Sequence, residues 1–261
     1  MGLTVSVDAA QSGQTHSTLH LTANLNFESG RCTAILGHSG AGKTSLLRCI
    51  AGLDHYEDAH VQYDDTIYEG NEIFIPPYRR RLGIIFQHDN LFEHLSVIDN
   101  LRYAKKRRLD QDGKLSLDSV AKTFQIKHLL NKMPNTLSGG EKQMVALARV
   151  SLTSPRALLL DEPFSNIDIH SKALMIQSIK TLCRDNQIPV IFVTHSFDEV
   201  AQLADDVVVI EKGVVESSGT LFDVTSDIHH SLANKSNAAV VLNARIEQHD
   251  EEFGLTKAYV N

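Results

Sequence analysis

Tryptophan is absent from this 261-residue sequence, cysteine occurs only three times, and long apolar runs are lacking. A helix that crosses a membrane needs roughly 18 or more consecutive apolar residues, and no window of the sequence approaches that length. The N-terminus also lacks the basic segment followed by an apolar stretch that marks a secretory signal. We therefore expect a chain that does not itself cross a membrane.

The three cysteines, Cys32, Cys49 and Cys183, are widely spaced, and no Cys-x-x-Cys pair occurs. The adjacent histidines His229 and His230 are far from all of them in sequence. An odd number at this spacing argues against a disulfide framework and against a zinc site. We expect reduced thiols that fill small spaces in a hydrophobic core, as in a cytosolic protein.

An excess of positive charge is also missing, because the formal net charge is -7. A nucleic-acid-binding protein usually presents a basic face, so this class is disfavoured. Two short basic runs, 79–81 and 105–108, are local exceptions. We interpret both as solvated faces of a helix or loop.

Short runs of valine, isoleucine and leucine recur along the chain. Such runs are typical of strands buried on both faces of a parallel sheet, whereas alternation of apolar and polar residues indicates half-buried antiparallel strands. The continuous runs are Thr33–Leu36, Leu82–Phe86, Ala157–Leu160, Val190–Val193 and Val207–Ile210, and the alternating segments are Leu3–Val7 and Leu19–Leu25. The fold class is therefore α/β, with a mainly parallel sheet, an N-terminal antiparallel β portion and an inserted helical subdomain at about 88–153.

A glycine-rich loop follows the run that ends at Leu36. Backbone N–H groups of such a loop surround a phosphate, and the next helix adds the positive end of its dipole. Its residues are Gly37, His38, Ser39, Gly40, Ala41, Gly42, Lys43, Thr44 and Ser45. With a strand before it and a helix expected at Lys43–Leu53, the loop predicts a nucleotide phosphate site. Lys43 would pair with the β- and γ-phosphates, and Thr44 would offer its hydroxyl to Mg²⁺.

Two carboxylates follow the buried run Leu158–Leu160. Open α/β sheets bind ligands at the carboxyl ends of their strands, where Asp161 and Glu162 are expected to lie. We interpret Asp161 as a partner of Mg²⁺ and Glu162 as the general base that polarises the attacking water.

Four segments occur in a characteristic order: Gly37–Thr44, Gln87, Leu137–Glu141 with its Ser-Gly-Gly, and Leu158–Glu162. In this order they resemble the ATPase subunit of an ATP-binding-cassette (ABC) transporter, and the resemblance extends from residue 1 to about 230. It implies a P-loop ATPase core that binds ATP with Mg²⁺. It also implies a dimer of two copies that enclose two nucleotides.

The resemblance assigns roles that the residues alone do not. Gln87 would contact both metal and attacking water, and His195 would contact the γ-phosphate. Ser138, Gly139 and Gly140 would face the nucleotide of the second copy, and Asp168 would lie at the dimer interface. Members of the family usually stack adenine on an aromatic residue near the N-terminus. None precedes Phe27 here, and His16 is the best substitute.

Within the family, three segments look most like the ATPase of molybdate importers: Pro76–Gly83, Phe86–Phe92 and Asp99–Tyr103. Such subunits usually continue into a C-terminal β-domain that binds the oxyanion and regulates transport. Here we expect a linker at 231–237 and only the incomplete start of that domain at 238–261. The chain is then either a shortened form or one without this control.

An importer ATPase implies partners and a location. The expected partners are an integral membrane permease and, indirectly, a solute-binding protein, with the chain held peripherally on the cytoplasmic face of the inner membrane. Leu91, Phe92, Leu95 and Val97 would line a groove for a short permease helix, although core packing remains an alternative for about half of them.

Other functions stay open. Within transport, the solute could be sulfate, a polyamine or iron. A soluble ABC protein of translation or DNA repair is a different class, but those proteins generally carry tandem cassettes or a long coiled-coil insertion. A purely regulatory module is disfavoured because Lys43, Asp161, Glu162 and His195 are all present.

Overall fold

The computed structural model describes residues 1–10, 20–86, 91–108, 115–165, 167–226, 244–250 and 255–260. The strands are β1 Gly2–Ala10, β2 His20–Glu28, β3 Cys32–Leu36, β4 His60–Tyr63, β5 Thr66–Gly70, β6 Ile73–Phe74, β7 Leu82–Ile85, β8 Ala157–Asp161, β9 Val190–Thr194, β10 Asp206–Glu211, β11 Val214–Thr220, β12 Ala244–Asp250 and β13 Leu255–Val260. The α-helices are α1 Lys43–Ala51, α2 Val97–Lys106, α3 Leu117–Thr123, α4 Gly139–Ser151, α5 Ile169–Asn186, α6 Phe197–Leu203 and α7 Leu221–Ser226.

An 11-stranded sheet with the order β6-β5-β4-β1-β2-β11-β10-β3-β9-β8-β7 organises the fold. Strands β10, β3, β9, β8 and β7 are parallel neighbours, whereas β1 pairs antiparallel with β2 and β4. The two halves meet where β11 pairs with β2 at Val214 and Thr22. The sheet as a whole is mixed, and its parallel core with an antiparallel N-terminal portion is as expected.

Helices cover the parallel strands, and this explains their continuous apolar runs. Every residue of β3, β8 and β9 is buried. Alternate side chains of each strand point to two separate clusters, so Ala34 packs with residues of α4 and α5 while Ile35 packs with residues of α1. Burial on both faces fixes the register of these strands, because a slip of one residue would exchange the two faces.

Helical structure dominates between β7 and β8. Helices α2, α3 and α4 lie there, together with the 3₁₀ turns Lys127–Leu129 and Pro134–Thr136. Val97 is 0% exposed and belongs to the core. Val97 therefore follows the alternative of core packing and does not line the expected permease groove, because it packs inward at the start of α2. Leu91, Phe92 and Leu95 are half-buried.

Arg80 contradicts the interpretation of its basic run as a solvated face. The side chain is 0% exposed, and its Nη2 donates to Glu69 Oε2 at 2.6 Å. It also donates to the carbonyl oxygens of Ile75 and Ile50. Gly52 leaves room for the Arg80 guanidinium, because a Cβ at position 52 would lie 2.2 Å from Arg80 Cζ. In the other run, residues 105–107 are exposed as expected, whereas Arg108 is half-buried and its Nε donates to Ser154 Oγ at 2.8 Å.

The three cysteines are free and buried, as expected from their spacing. Among the described residues, no helix combines the length and apolar character needed to traverse a bilayer. Strands β12 and β13 form a two-stranded antiparallel sheet. The expected linker at 231–237 lies outside the described residues.

Candidate functional site

The site lies at the carboxyl-terminal edge of three neighbouring parallel strands. The glycine-rich loop follows β3, Asp161 ends β8, and His195 follows β9. Because the sheet order places β9 between β3 and β8, these residues reach the same edge from adjacent positions. Loop, carboxylates and histidine are far apart in sequence and are brought together by parallel pairing.

The loop enters α1 in a form suited to an anion. Gly42 is the residue before the helix, with φ of 102°, a left-handed conformation that glycine adopts without steric cost. It provides no side chain to cap the helix, and the first turn contains no acidic residue. The first N–H groups of α1 are therefore open to a phosphate rather than to a local carboxylate.

Lys43 folds back over the loop. Its Nζ donates to the carbonyl oxygens of Gly37 at 3.0 Å and His38 at 2.8 Å. Only 6% of Lys43 is exposed. Burial lowers the pKa of its ammonium group, while the charges of Glu162 and Asp161 act in the opposite direction. A buried cation held by neutral carbonyls is electrostatically suited to a phosphate group.

Thr44 and Asp161 join the loop to the end of β8. The Thr44 hydroxyl donates to Asp161 Oδ1 at 3.1 Å, and Asp161 is 8% exposed. Burial raises the pKa of the Asp161 carboxyl, whereas the Thr44 hydrogen bond lowers it. A hydroxyl and a carboxylate in contact at the phosphate loop are the oxygen ligands that Mg²⁺ prefers. The described donor set therefore fits the metal.

Glu162 occupies an unusual backbone conformation beside this pair. Its φ is 45°, uncommon for a residue with a side chain, and such strain concentrates at functional sites. Surrounding contacts maintain it: the Glu162 N–H donates to Val193 O, and Ser165 Oγ donates to Glu162 O at 3.0 Å. The turn directs the carboxylate so that its Oε1 lies 3.5 Å from His195 Nδ1.

His195 and Glu162 together border the exposed side of the site. The His195 side chain is 71% exposed, and that of Glu162 is 28% exposed. Both groups are therefore accessible to a ligand and to water. The roles of Glu162 as base and of His195 as γ-phosphate contact stay predictions.

Ser138 begins α4 through a reciprocal pair of hydrogen bonds. The Glu141 N–H donates to Ser138 Oγ at 3.3 Å, and the Ser138 N–H donates to Glu141 Oε2 at 2.7 Å. The helix starts with Gly139 and Gly140. A Cβ on Gly140 would approach Ser171 Cβ to 2.8 Å, so the start of α4 is in close contact with the start of α5.

Asp168 caps α5 by accepting a hydrogen bond from the Ser171 N–H at 3.0 Å. Its pKa is lowered chiefly by that hydrogen bond. Ile169, the first residue of α5, is 89% exposed. The sequence predicted Asp168 as an interface residue but did not predict the exposed isoleucine next to it.

Two predicted site residues, His16 and Gln87, lie outside the described residues. The sequence reasoning also missed a contact, because Lys172 on α5 forms an ion pair at 2.7 Å with Glu199 on α6. No local motif marks this pair, since the two residues are 27 positions apart. Only the docking of α6 beside α5 brings them together.

Known proteins resemble this chain over most of its length. The model of the ABC transporter family matches residues 21–165, more than half of the chain. A curated relative, the molybdenum import ATP-binding protein ModC 1 of Azotobacter vinelandii, is 39% identical over 239 residues, covering 91% of this chain and 66% of the relative. ModC of Pseudomonas aeruginosa is 40% identical over 225 residues, covering 85% of this chain and 62% of that relative. The chain thus spans slightly less than two thirds of their length.

Solved structures show the same architecture. The cbiO1 protein of Clostridium perfringens, part of an ABC transporter complex, has a TM-score of 0.72 and 27% identity, covering 87% of this chain and 92% of that one. A dimeric bacterial ABC transporter cassette has a TM-score of 0.70 and 25% identity, covering 84% and 98% of the two chains. The α/β P-loop class is thereby confirmed, and the chain belongs to the ABC transporter family.

Proposed function

We propose that this chain is the ATP-hydrolysing subunit of an ABC importer for molybdate or tungstate. The observation that carries the ATPase assignment is the convergence of Lys43, Thr44, Asp161, Glu162 and His195 at one sheet edge. The solute assignment is supported by curated relatives named as molybdenum import proteins.

ATP would bind with its phosphates in the loop from Gly37 to Ser45. The loop N–H groups and the start of α1 face the negative charge, and Lys43 would exchange its carbonyl contacts for the β- and γ-phosphates. His16 remains the proposed contact for adenine. In the absence of an aromatic residue before Phe27, we expect the phosphates to contribute most of the binding free energy.

Thr44 and Asp161 would hold Mg²⁺, and Gln87 would be a further ligand. The metal, when bound, neutralises charge that develops on the phosphate oxygens. The hydrogen bond between Thr44 and Asp161 already places both oxygens together. The protein therefore arranges these ligands through its own contacts.

Glu162 is the proposed general base. Its carboxylate would orient a water molecule and accept a proton from it as the water attacks the γ-phosphorus, while the bond from the γ-phosphorus to the bridging β-phosphate oxygen breaks and ADP leaves. His195 would donate a hydrogen bond to the γ-phosphate, which places the phosphate opposite the base. The 3.5 Å separation between the two side chains allows both roles at one reacting group.

A second copy of the chain would complete the site. Ser138, Gly139 and Gly140 at the start of α4 would face the γ-phosphate held by that copy, and Asp168 would lie at the interface. The dimer of a related cassette supports this arrangement. Closure on ATP and opening after hydrolysis would supply the mechanical step of transport.

The dimer would act on a membrane permease at the cytoplasmic face of the inner membrane. Half-buried Leu91, Phe92 and Leu95 are the proposed apolar contacts for a short permease helix. A solute-binding protein would deliver the oxyanion to the permease. Residues 1–230 would form the ATPase domain, with 231–237 as a linker and 238–261 as the start of a β-domain.

The decisive experiment measures ATP hydrolysis by this chain reconstituted with its permease and binding protein. Molybdate, tungstate, sulfate, spermidine and ferric iron are compared as solutes. Stimulation by molybdate and tungstate alone is the expected result. Stimulation by another solute would preserve the ATPase assignment and overturn the oxyanion, whereas hydrolysis in none of the reactions, including a detergent-solubilised control, would overturn the ATPase assignment itself.

A further inference from the structure

Lys172, Glu199 and Thr194 form a partly buried polar chain beside the catalytic edge. Lys172 Nζ donates to Glu199 Oε1 at 2.7 Å, and the side chains are 23% and 12% exposed. The other carboxylate oxygen, Oε2, accepts a hydrogen bond from the Thr194 hydroxyl. One carboxylate thus connects the first turn of α5 to the end of β9.

This series of polar side chains ends at Thr194, the residue before His195. Thr194 is 1% exposed, and its hydroxyl oxygen accepts a hydrogen bond from the Ser196 N–H at 3.0 Å. The backbone on both sides of His195 is therefore fixed by one hydroxyl. The same strand also accepts the Glu162 N–H at Val193 O. The positions of the proposed base and of the histidine depend on a common segment.

At the other end of this series, Lys172 lies next to the proposed dimer interface. The Lys172 N–H donates to Asp168 O at 2.9 Å, so Lys172 lies one helical turn after the interface aspartate. Its ammonium group also lies 5.8 Å from the centre of the Phe164 ring. A shift at the start of α5 would therefore move the lysine on which Glu199 depends.

We propose that Lys172 and Glu199 are positioning residues, which transmit the contact with a second copy at Asp168 to the orientation of His195. The inference rests on the proposed ATPase function. Neither residue is assigned contact with ATP. Their effect acts through Thr194 and Ser196, which limit the directions in which the exposed imidazole can point.

The test replaces Lys172 by methionine, which retains length but removes the charge. We expect kcat of ATP hydrolysis to fall roughly ten- to a hundredfold, because a small displacement of a group at the reacting centre lowers the rate by this much. KM for ATP should change less than about threefold. Lys172→Arg should restore most of the rate because it can still donate to Glu199. Lys127→Met, which breaks the exposed pair with Asp118 at 2.7 Å, is the matched control and should be neutral.

Glu199→Gln provides an independent variant if Lys172→Met fails to fold. Its amide can still accept from Thr194 but no longer attracts the lysine, so a smaller fall in kcat is expected. An unchanged kcat in a folded variant, or an equal loss in Lys172→Arg, would overturn the proposal. Hydrogen exchange at the Ser196 amide is measured in parallel without nucleotide and should accelerate in Lys172→Met but not in Lys127→Met.

The exchange measurement separates failure of this inference from failure of the proposed function. If the wild-type chain hydrolyses no ATP while Ser196 exchange accelerates in Lys172→Met, the ATPase assignment fails and the structural link stands. If the wild type is active and neither exchange nor kcat changes in the variants, the link is wrong.

Discussion

Glu162 combines three properties at the scale of a single residue: a strained backbone, a partly exposed carboxylate and a neighbouring histidine. Glu162→Gln preserves the shape of the side chain but removes its ability to accept a proton. We expect ATP hydrolysis to fall roughly 10²- to 10⁴-fold, with ATP binding retained. Single-turnover hydrolysis and equilibrium nucleotide binding, measured on the same preparation, test both expectations.

Glu216→Gln is a suitable control because Glu216 is an exposed carboxylate on β11. It makes the same chemical change away from the proposed site and should leave the rate unchanged. Hydrolysis by Glu162→Gln at the wild-type rate would show that another group accepts the proton.

Arg80 and Glu69 show how a pair of charges can hold two elements together. Glu69 on β5 is 1% exposed, and it contacts both Arg80 and His55 Nδ1. Arg80→Met would leave a buried carboxylate without its guanidinium, which should cost about 3 to 5 kcal/mol of unfolding free energy. Urea denaturation at neutral pH measures that loss.

The double variant Arg80→Met with Glu69→Leu separates the net contribution of the ion pair from the cost of leaving one buried charge unpaired. Replacing both charges by apolar groups removes the unpaired carboxylate, so most of the stability should return. If the double variant is as unstable as Arg80→Met alone, the backbone contacts of Arg80 with Ile75 and Ile50 matter more than its charge pair. Comparison of the two variants thus separates the cost of the unpaired carboxylate from the loss of the other Arg80 contacts.

Helix α4 offers a pH-dependent test of its first turn. The hydrogen bond from the Ser138 N–H is the main cause that lowers the pKa of Glu141 below its ordinary 4.5. Because the folded-state pKa is lowered, the stabilisation is present above pH 4.5 and is lost as pH falls through the lowered pKa. Glu141→Gln should therefore cost about 0.3 to 1 kcal/mol at pH 7, and less as the pH falls below 4.5. Urea denaturation at several pH values measures the difference. A difference that did not change with pH would contradict a role for the charge.

The elements differ in how far sequence could predict them. Strands β3, β8 and β9 were predictable because burial on both faces leaves a continuous apolar run, and α1 was predictable from the phosphate loop before it. The burial of Arg80 was not predictable, because this burial depends on the Glu69 carboxylate of β5 and on the room that Gly52 leaves. The same applies to Lys172 and Glu199, which meet only after α5 and α6 have packed.

At the scale of the whole molecule, an exposed apolar side chain lies beside the aspartate that we propose for the dimer interface. Ile169 is 89% exposed beside Asp168, and burying an apolar side chain of this size would stabilise a dimer by about 1.5 to 3 kcal/mol. The start of α4 lies against the same region through Gly140 and Ser171. The start of α4, with the proposed signature residues, and the start of α5, with the proposed interface residue, are therefore neighbours in the fold.

A charge at this position should oppose association while leaving the phosphate loop of the single chain unchanged. In a chain that carries Glu162→Gln, we expect ATP to convert monomers to dimers, and the added substitution Ile169→Asp to weaken that dimer roughly tenfold or more because a carboxylate would be desolvated. Light scattering after size exclusion, with and without ATP, measures the change. Ile73→Asp is the control, since Ile73 is 44% exposed on the edge strand β6. Equal dimerisation by both variants would place the ATP-dependent interface elsewhere. A loss confined to Ile169→Asp would locate the interface at the start of α5, the helix on which Lys172 connects through Glu199 and Thr194 to the position of His195.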